Sequence, residues 1–433
     1  MVGLARSGVA VALTLRERGE EVIGLDSGSA AAPALAKAAG RLHPAGVEVH
    51  LDVSGEALAA RARTLVKSPG VPSDAPVVAA ARARGMPVLG EIEFAWRLLA
   101  NEFIAVTGTN GKTTTTEWIG HIHREAALPV AVAGNVGTAL SSLIGRVDPE
   151  ATIVCEASSF QLQDTDAFAP ELAVLLNLQP DHLDRHGSFD DYVAAKLRIF
   201  ARQGNDDVAV APSGLDLEDL GGCARRVCFG TDRAAEMSAR AGQLWWDETP
   251  LIAEEELALP GAHNRHNAMA AAAACLARGV DPGAVAAGLR SFAGVRHRLE
   301  PIATLGGVAY VNDSKATNVA STIVALRSYG GGVHLIAGGI GKNQDFAPLA
   351  PIVARHCAGV YLIGEAAGEL GRALEDLGVP IGELRTLPAA LAAASRTARP
   401  GETVLLSPAC ASFDQYPDFE ARGDDFRKLV EEL

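Results

Sequence analysis

The chain has 433 residues, 48% of them hydrophobic and 21% charged, a balance that excludes intrinsic disorder over most of its length and leaves room for several separate cores. Its net charge of −14 comes without any Lys/Arg run of the kind that neutralises a phosphate backbone, so no nucleic acid is expected as a partner. The longest apolar stretch, around residues 268–277, falls short of the roughly 18 to 20 residues a membrane span needs, and no basic segment followed by an apolar one opens the chain. A soluble cytoplasmic protein without membrane contact is the expectation.

Short β-branched or apolar runs alternate with Ala/Leu/Arg-rich stretches of helical period, which predicts strand–helix units, parallel sheets and an α/β class. In chain order, strands are predicted first at Val22–Leu25, Thr64–Val66 and Pro87–Leu89, each delivering a Gly, Ser or Asp loop. A second series runs Phe103–Val106, Val130–Ala133, Thr152–Glu156, Leu172–Leu176 and Val208–Ala211, and a third Val308–Val311, Val333–Ala337, Val360–Ile363 and Thr403–Leu406. Punctuation at Gly90–Glu93 and Phe292–Arg298 divides these into three domains, residues 1–91, 92–294 and 295–433. Cysteines 155, 223, 228, 275, 357 and 410 show no zinc spacing and read as buried reduced thiols.

The start, Met1-Val2-Gly3-Leu4-Ala5-Arg6-Ser7-Gly8, is a glycine turn with almost no strand before it. A doubly wound domain places its first strand at the sheet centre. Neighbouring strands with unpaired backbone groups, and a native start upstream of Met1, are therefore expected.

The strongest local pattern is Phe103-Ile-Ala-Val-Thr-Gly108-Thr109-Asn110-Gly111-Lys112-Thr113-Thr114, a strand and a glycine turn that opens a helix. Such a turn cradles phosphate with backbone N–H groups; Lys112 adds a point charge and the Thr113 hydroxyl suits Mg²⁺. Val106 stands where the general phosphate-loop pattern has its first glycine. Arginine so outnumbers lysine that only Lys37, Lys67, Lys112, Lys196, Lys315, Lys342 and Lys428 remain. Of these, Lys112, Lys315 and Lys342 follow strands in turn-rich contexts, and Lys196 sits on a helix where a compact ammonium or a modifiable amine would matter.

Glu156 ends a strand at the sheet edge where α/β enzymes place ligands, which suits a Mg²⁺ ligand or a water-orienting role. In Asp181-His182-Leu-Asp184-Arg-His186 only one or two side chains can face a site, and caps or loop salt bridges remain an alternative for Asp181, Asp184 and His186. Asn264 and Asn267, three apart at a helix start, share a face that could present two amides to a base or ribose. The loops Asn312-Asp313-Ser-Lys315-Ala-Thr317-Asn318 and Ser407-Pro-Ala-Cys-Ala-Ser412-Phe413-Asp-Gln follow two strands of one domain and suggest a second substrate face.

Taken together these residues resemble the Mur ligase family over nearly the whole length. The general pattern is carried by Gly108-Thr-Asn-Gly-Lys-Thr-Thr, Gly134-Asn135-Val-Gly, His263-Asn264 with Asn267, and Arg298. Glu156-Ala-Ser-Ser-Phe-Gln-Leu, Tyr192-Val-Ala-Ala-Lys196-Leu-Arg and the two polar loops above are similar to those of the family member that adds D-glutamate. The resemblance implies a Rossmann-like N-terminal domain for the uridine nucleotide, a central phosphate-loop ATPase-like domain and a Rossmann-like C-terminal domain contacting ATP and the amino acid. It implies ATP and two Mg²⁺ ions as cofactors, UDP-N-acetylmuramoyl-L-alanine and D-glutamate as substrates, an acyl phosphate intermediate and a monomer.

By motif position Gly108, Thr109, Asn110, Gly111, Lys112, Thr113, Thr114, Asn264, Asn267, Arg298 and Asp313 would bind ATP. Thr113 and Glu156 would serve one Mg²⁺, His182 and a carbamylated Lys196 the other, and Lys112, Glu156, His182 and Lys196 would form the catalytic set. Leu4, Ala5, Asp26, Ser27, Ser68, Pro69, Gly70 and Asn135 would meet the UDP-sugar, and Lys315, Thr317, Lys342, Ser412, Phe413 and Phe419 the D-glutamate. The sequence departs from the pattern at the short first strand, at Gly28, and at Ile340, where an acidic residue often precedes Gly341-Lys342. Another ligase of this family, a folylpolyglutamate-type ligase, or a non-catalytic UDP-sugar-binding or nucleotide-binding protein are the alternatives.

Overall fold

The computed structural model describes the chain except Val136, residues 216–220, Pro260, Lys342, Asn343 and Asp376, and the side chains of Leu183 and Asp184. The described residues form two compact units, Met1–Phe292 and Ala293–Leu433.

In the first unit β1 (Ile23–Leu25) runs parallel to β2 (Glu48–His50), and β3 (Leu65–Lys67) parallel to β4 (Val88–Gly90). Between the pairs lies Met1–Gly3, where Val2 bridges Leu25 on one side and Lys67 on the other. Val2 N–H donates to Val66 O at 2.9 Å and Gly3 N–H to Leu25 O at 2.8 Å, while Met1 O accepts from Leu25 N–H and Val2 O from Ser68 N–H, both at 2.9 Å. The Met1 ammonium donates to Ile23 O at 2.7 Å, and burial lowers its pKa to about 6. The expectation of orphaned groups on β1 and β3 therefore fails where Met1–Gly3 faces them. These three residues bridge the two pairs, and so short a run carries no periodicity to read. The following turn closes tightly: a Cβ on Gly8 would lie 1.8 Å from Gly3 O.

The larger sheet of this unit comprises β5 (Phe103–Thr107), β6 (Val130–Gly134), β7 (Thr152–Glu156), β8 (Leu172–Leu175), β9 (Val208–Pro212), β10 (Arg225–Gly230), β11 (Met237–Arg240), β12 (Gln243–Trp246) and β13 (Thr249–Ala253). Its order is β13-β12-β11-β10-β9-β8-β5-β7-β6, antiparallel only at β11-β12-β13. β5 is buried along its whole length, as a continuous apolar run in a parallel sheet should be. Helices Lys112–Glu125 and Ala262–Ala277 pack together on this sheet; the small side chains of Ala268 and Ala270–Ala274 are all fully buried. One hydrophobic core runs through both sheets of the unit, from Leu4 and Val66 to Phe103, Phe168 and Ala209.

The second unit holds β14 (Glu300–Leu305), β15 (Val308–Asn312), β16 (Val333–Gly338), β17 (Cys357–Ile363), β18 (Ile381–Arg385) and β19 (Thr403–Leu406), ordered β14-β15-β19-β16-β17-β18. Only β14 is antiparallel, joined to β15 through Gly306-Gly307, both with positive φ as a two-residue hairpin turn requires. The cysteine reading needs correction: Cys155, Cys275 and Cys410 are buried, but Cys228 and Cys357 are half-buried and Cys223 is exposed.

Candidate active site

β5 lies between β7 and β8, so three parallel strands deliver their carboxyl ends side by side. After β5 the chain turns through Gly108 into Gly111, whose left-handed conformation (φ +85°) caps helix Lys112–Glu125. The turn is braced by the loop after β8: Thr109 N–H donates to Asn177 O at 3.0 Å and Asn110 N–H to Asn177 Oδ1 at 2.9 Å. Thr109 Oγ1 also meets Gln179 O at 3.1 Å and the Tyr192 hydroxyl at 3.0 Å.

Two lysines converge on one carbonyl here. Lys112 Nζ donates to Gly108 O and Thr109 O, each at 3.0 Å, and Lys196 Nζ donates to the same Gly108 O at 2.8 Å. Lys196 is 1% exposed and also lies over the Tyr192 ring, 4.6 Å from its centroid. Burial, reinforced by the charge of Lys112, lowers its pKa to about 7. Thr113 and Thr114 are buried in the first turn of the helix.

Glu156 is buried at the end of β7, in register with Val106, and its Oε1 accepts from Asn135 Nδ2 at 3.0 Å. Among the described residues its Oε2 accepts no hydrogen bond. His182 differs: its side chain is half exposed, has Asp181 Oδ2 at 3.6 Å and leans on Phe160. Among the described residues no three His, Cys, Asp or Glu side chains gather as a ready metal cluster. His186 bonds Ser159 Oγ at 3.0 Å and stacks on Phe160, so it braces the start of the helix Ser159–Gln163 that follows Glu156.

Asn267 is buried against the turn; a Cβ on Gly111 would lie 2.2 Å from its Oδ1, which is why that position must be glycine. Asn264 sits half-buried one turn earlier, and neither asparagine caps the helix, whose N-cap is Gly261. Nearer the N-terminus, Asp26 is spent on its own turn: its carboxylate accepts from Leu4 N–H and Gly28 N–H, both at 2.8 Å. Ser68 Oγ meets Ser7 Oγ at 3.1 Å, while Ala5, Ser27 and Gly70 are exposed and Pro69 half-buried. A buried ion pair invisible to motif reading joins Lys67, just before this turn, to Asp164.

In the second unit the polar loops follow β15 and β19, neighbours in the sheet. Asp313 is buried, with Ser407 Oγ donating at 2.7 Å and Leu299 N–H at 3.2 Å. Burial raises its pKa to about 6, against smaller lowering effects that include the charges of Arg298 and Lys315. Thr317 is half-buried, Ser412 buried, Phe413 65% exposed and Phe419 half-buried. Lys342 lies outside the described residues. Asn312 turns inward instead, its amide reaching His297 Nδ1, Glu300 Oε2 and Gly423 O at 3.0 to 3.1 Å.

A phosphate loop at the carboxyl edge of a parallel sheet, backed by two lysines and a buried glutamate, defines an α/β protein that handles phosphoryl groups. A model of the Mur ligase middle domain matches residues 106–275, and one of the Mur ligase glutamate ligase domain matches residues 297–410. A UDP-N-acetylmuramoylalanine–D-glutamate ligase of Acidobacterium capsulatum is 42% identical over 99% of this chain and 95% of its own. One of Anaeromyxobacter dehalogenans is 42% identical over 100% and 97%. The solved structure of MurF from Acinetobacter baumannii shares the fold, with a TM-score of 0.61 at 20% identity over 95% of this chain and 92% of its own. The chain belongs to the Mur ligase family.

Proposed function

We propose that the chain is an ATP-dependent ligase that joins D-glutamate to UDP-N-acetylmuramoyl-L-alanine with release of ADP and phosphate, a cytoplasmic step of peptidoglycan precursor synthesis performed by a monomer. The observation that carries this is the meeting of Lys112 and Lys196 on Gly108 O beside the buried Glu156. In this reading residues 1–91 hold the uridine nucleotide, residues 92–294 hold ATP, and residues 295–433 contact ATP and the amino acid. Leu4, Ala5, Asp26, Ser27, Ser68, Pro69, Gly70 and Asn135 face the UDP-sugar. The phosphate loop takes ATP together with Asn264, Asn267, Arg298 and Asp313, and Lys315, Thr317, Lys342, Ser412, Phe413 and Phe419 receive D-glutamate.

The alanyl carboxylate attacks the γ-phosphorus of ATP, an oxygen–phosphorus bond forms, and ADP leaves with the electron pair of the bond that breaks. Lys112 and the turn's N–H groups neutralise charge on the transferring oxygens. The D-glutamate amine then attacks the acyl carbonyl; the new C–N bond replaces the bond to phosphate, and the amine loses a proton. The donor set fits a hard cation, because Thr113 offers a hydroxyl and Glu156 a carboxylate oxygen not already taken by a hydrogen bond among the described residues. When bound, Mg²⁺ would add charge neutralisation, one ion held by Thr113 and Glu156 and the other by His182 and the carbamate of Lys196.

Carbamylation of Lys196 is favoured by its lowered pKa of about 7, since only the neutral amine attacks CO₂, forming an N–C bond and releasing one proton. The test is phosphate release assayed with ATP, Mg²⁺ and the UDP-sugar, adding D-glutamate, L-glutamate, meso-diaminopimelate or L-alanine in turn. Release only with D-glutamate is expected. Equal turnover with L-glutamate, or release without the UDP-sugar, would sink the reading.

A further inference from the structure

Arg422 occupies the first turn of helix Phe419–Glu431 and is 1% exposed. Its Nε donates to Ser314 Oγ at 3.0 Å, its Nη2 to Ser314 O at 2.9 Å and Cys410 O at 3.2 Å, and its Nη1 to Gly338 O at 3.4 Å. Every one of these acceptors is neutral. Among the described residues no carboxylate lies within ion-pair distance of it; Asp414, the acid whose charge it feels, accepts instead from Glu365 N–H at 3.1 Å. Burial accordingly lowers its pKa to about 10. The position is doubly unfavourable, because the first turn of a helix is its positive end. A purely structural role would be met better by a carboxylate partner or an apolar side chain.

What the guanidinium holds is informative. Ser314 lies in the loop after β15, Cys410 in the loop after β19, and Gly338 ends β16, and these three strands are neighbours in the order β15-β19-β16. The same loops carry Lys315 and Thr317, Ser412 and Phe413, and the Gly339–Gly341 turn. Ser314 Oγ passes the connection on by donating to Phe419 O at 2.8 Å. A planar fork with several fixed donors can grip carbonyls on three separate loops at once, which an ammonium on a flexible stem cannot do.

We propose that Arg422 is the positioning and specificity-determining residue of the amino-acid face: its fork sets the spacing of the three loops, and its charge, offset by no carboxylate in contact among the described residues, favours an incoming amino acid with two carboxylates. This rests on the reading of these loops as the D-glutamate face. A dianion arriving near a buried cation in low dielectric gains more than it would in water.

The test is steady-state kinetics of the full chain with Arg422→Met, Arg422→Lys and Ser314→Ala, run beside Thr317→Ala and Ser412→Ala. Arg422→Met should raise the KM for D-glutamate roughly 10-fold or more while the KM values for ATP and the UDP-sugar stay within about 2-fold. Arg422→Lys, which restores charge without the fork, should recover part of that loss, and Ser314→Ala should shift the same constant by a few-fold. If Arg422→Met does not fold, the two milder variants decide. Parallel rises in all three KM values, or a lower melting temperature with unchanged KM, would overturn the proposal. Should Thr317→Ala and Ser412→Ala raise the D-glutamate KM while the Arg422 and Ser314 variants do not, the face stands and the role of Arg422 falls. Should none of the five move it, the reading of the face fails and the proposal with it.

Discussion

Lys67 and Lys196 are equally buried, each 1% exposed, yet the first faces a carboxylate and the second a carbonyl. Lys67 ends β3 and pairs with Asp164, which also accepts from Ser73 Oγ at 3.3 Å, so the Ser68-Pro69-Gly70 turn is latched to the segment that follows helix Ser159–Gln163. Lys196 donates to Gly108 O and stands near a second ammonium, that of Lys112. The same side chain at the same depth thus serves two ends. Where a carboxylate answers it, the pair fixes geometry; where only a carbonyl does, burial drives the amine toward its neutral, reactive form.

The comparison breaks first at Lys196. Lys196→Ala is expected to lose about 10³-fold or more in turnover, roughly 4 kcal/mol at the barrier, and to regain part of it with added short-chain carboxylates. Wild-type protein stripped of CO₂ should lose activity reversibly. A nearly wild-type rate in the variant would end the assignment. Kept free of CO₂ so that Lys196 is a free amine, the apo protein should also become more stable as pH rises from about 7 toward 10.5, because over that range the unfolded chain still binds the proton that buried Lys196 has released. Lys196→Ala should flatten that dependence.

At Lys67 the expected effect is on stability. Lys67→Met leaves the buried Asp164 carboxylate without its cation and should cost about 3 kcal/mol, at the low end for a broken buried pair since the Ser73 hydroxyl remains. The double variant Lys67→Met, Asp164→Leu should recover most of the loss. All four tryptophans, at positions 96, 118, 245 and 246, lie in the first unit, so denaturation followed by tryptophan fluorescence reads this change without interference from the second. Equal destabilisation by the single and double variants would mean that shape, not charge, holds the latch.

Neither lysine's partner could be read from sequence, and the reason is distance along the chain. Lys67 and Asp164 are 97 residues apart, Arg422 and Ser314 108 apart, and no local period records such meetings. The phosphate loop and Glu156 were legible because a strand, a glycine turn and a helix start dictate their own geometry within a few residues, whereas Lys196, in the last turn of its helix, stood out only by the scarcity of lysine and by the family resemblance. Tyr192 had a usable signal, standing four residues before Lys196 on the same helical face. Among the strands, the buried apolar runs of β5 and β7–β9 announce themselves. β2 is only Glu48-Val49-His50, β10 opens on Arg225-Arg226, and β14 and β18 are partly exposed edges, so tertiary pairing rather than intrinsic pattern makes them strands.

Asp313 puts the same question to an acid and carries the smallest expected effect. It is buried like Lys196, held by the Ser407 hydroxyl and the Leu299 N–H, and burial raises its pKa from the ordinary 3.8 to about 6. Between those two values the folded state keeps a proton that the unfolded chain has released, so this group's contribution to stability is full below pH 4 and falls as pH rises through 6. The penalty at neutral pH is about 2 kcal/mol once relaxation around a buried carboxylate is allowed for. Asp313→Asn, which mimics the protonated form, should therefore match the wild type near pH 4 and exceed its stability at pH 7.5, while losing activity if the carboxylate meets ATP as proposed. Four of the five tyrosines lie in the second unit, so urea unfolding followed by near-ultraviolet tyrosine circular dichroism weights the measurement toward it. A difference between variant and wild type that does not change with pH would show that the hydroxyl and amide bonds, not desolvation, govern this carboxylate, and the parallel with Lys196 would not extend to the second unit.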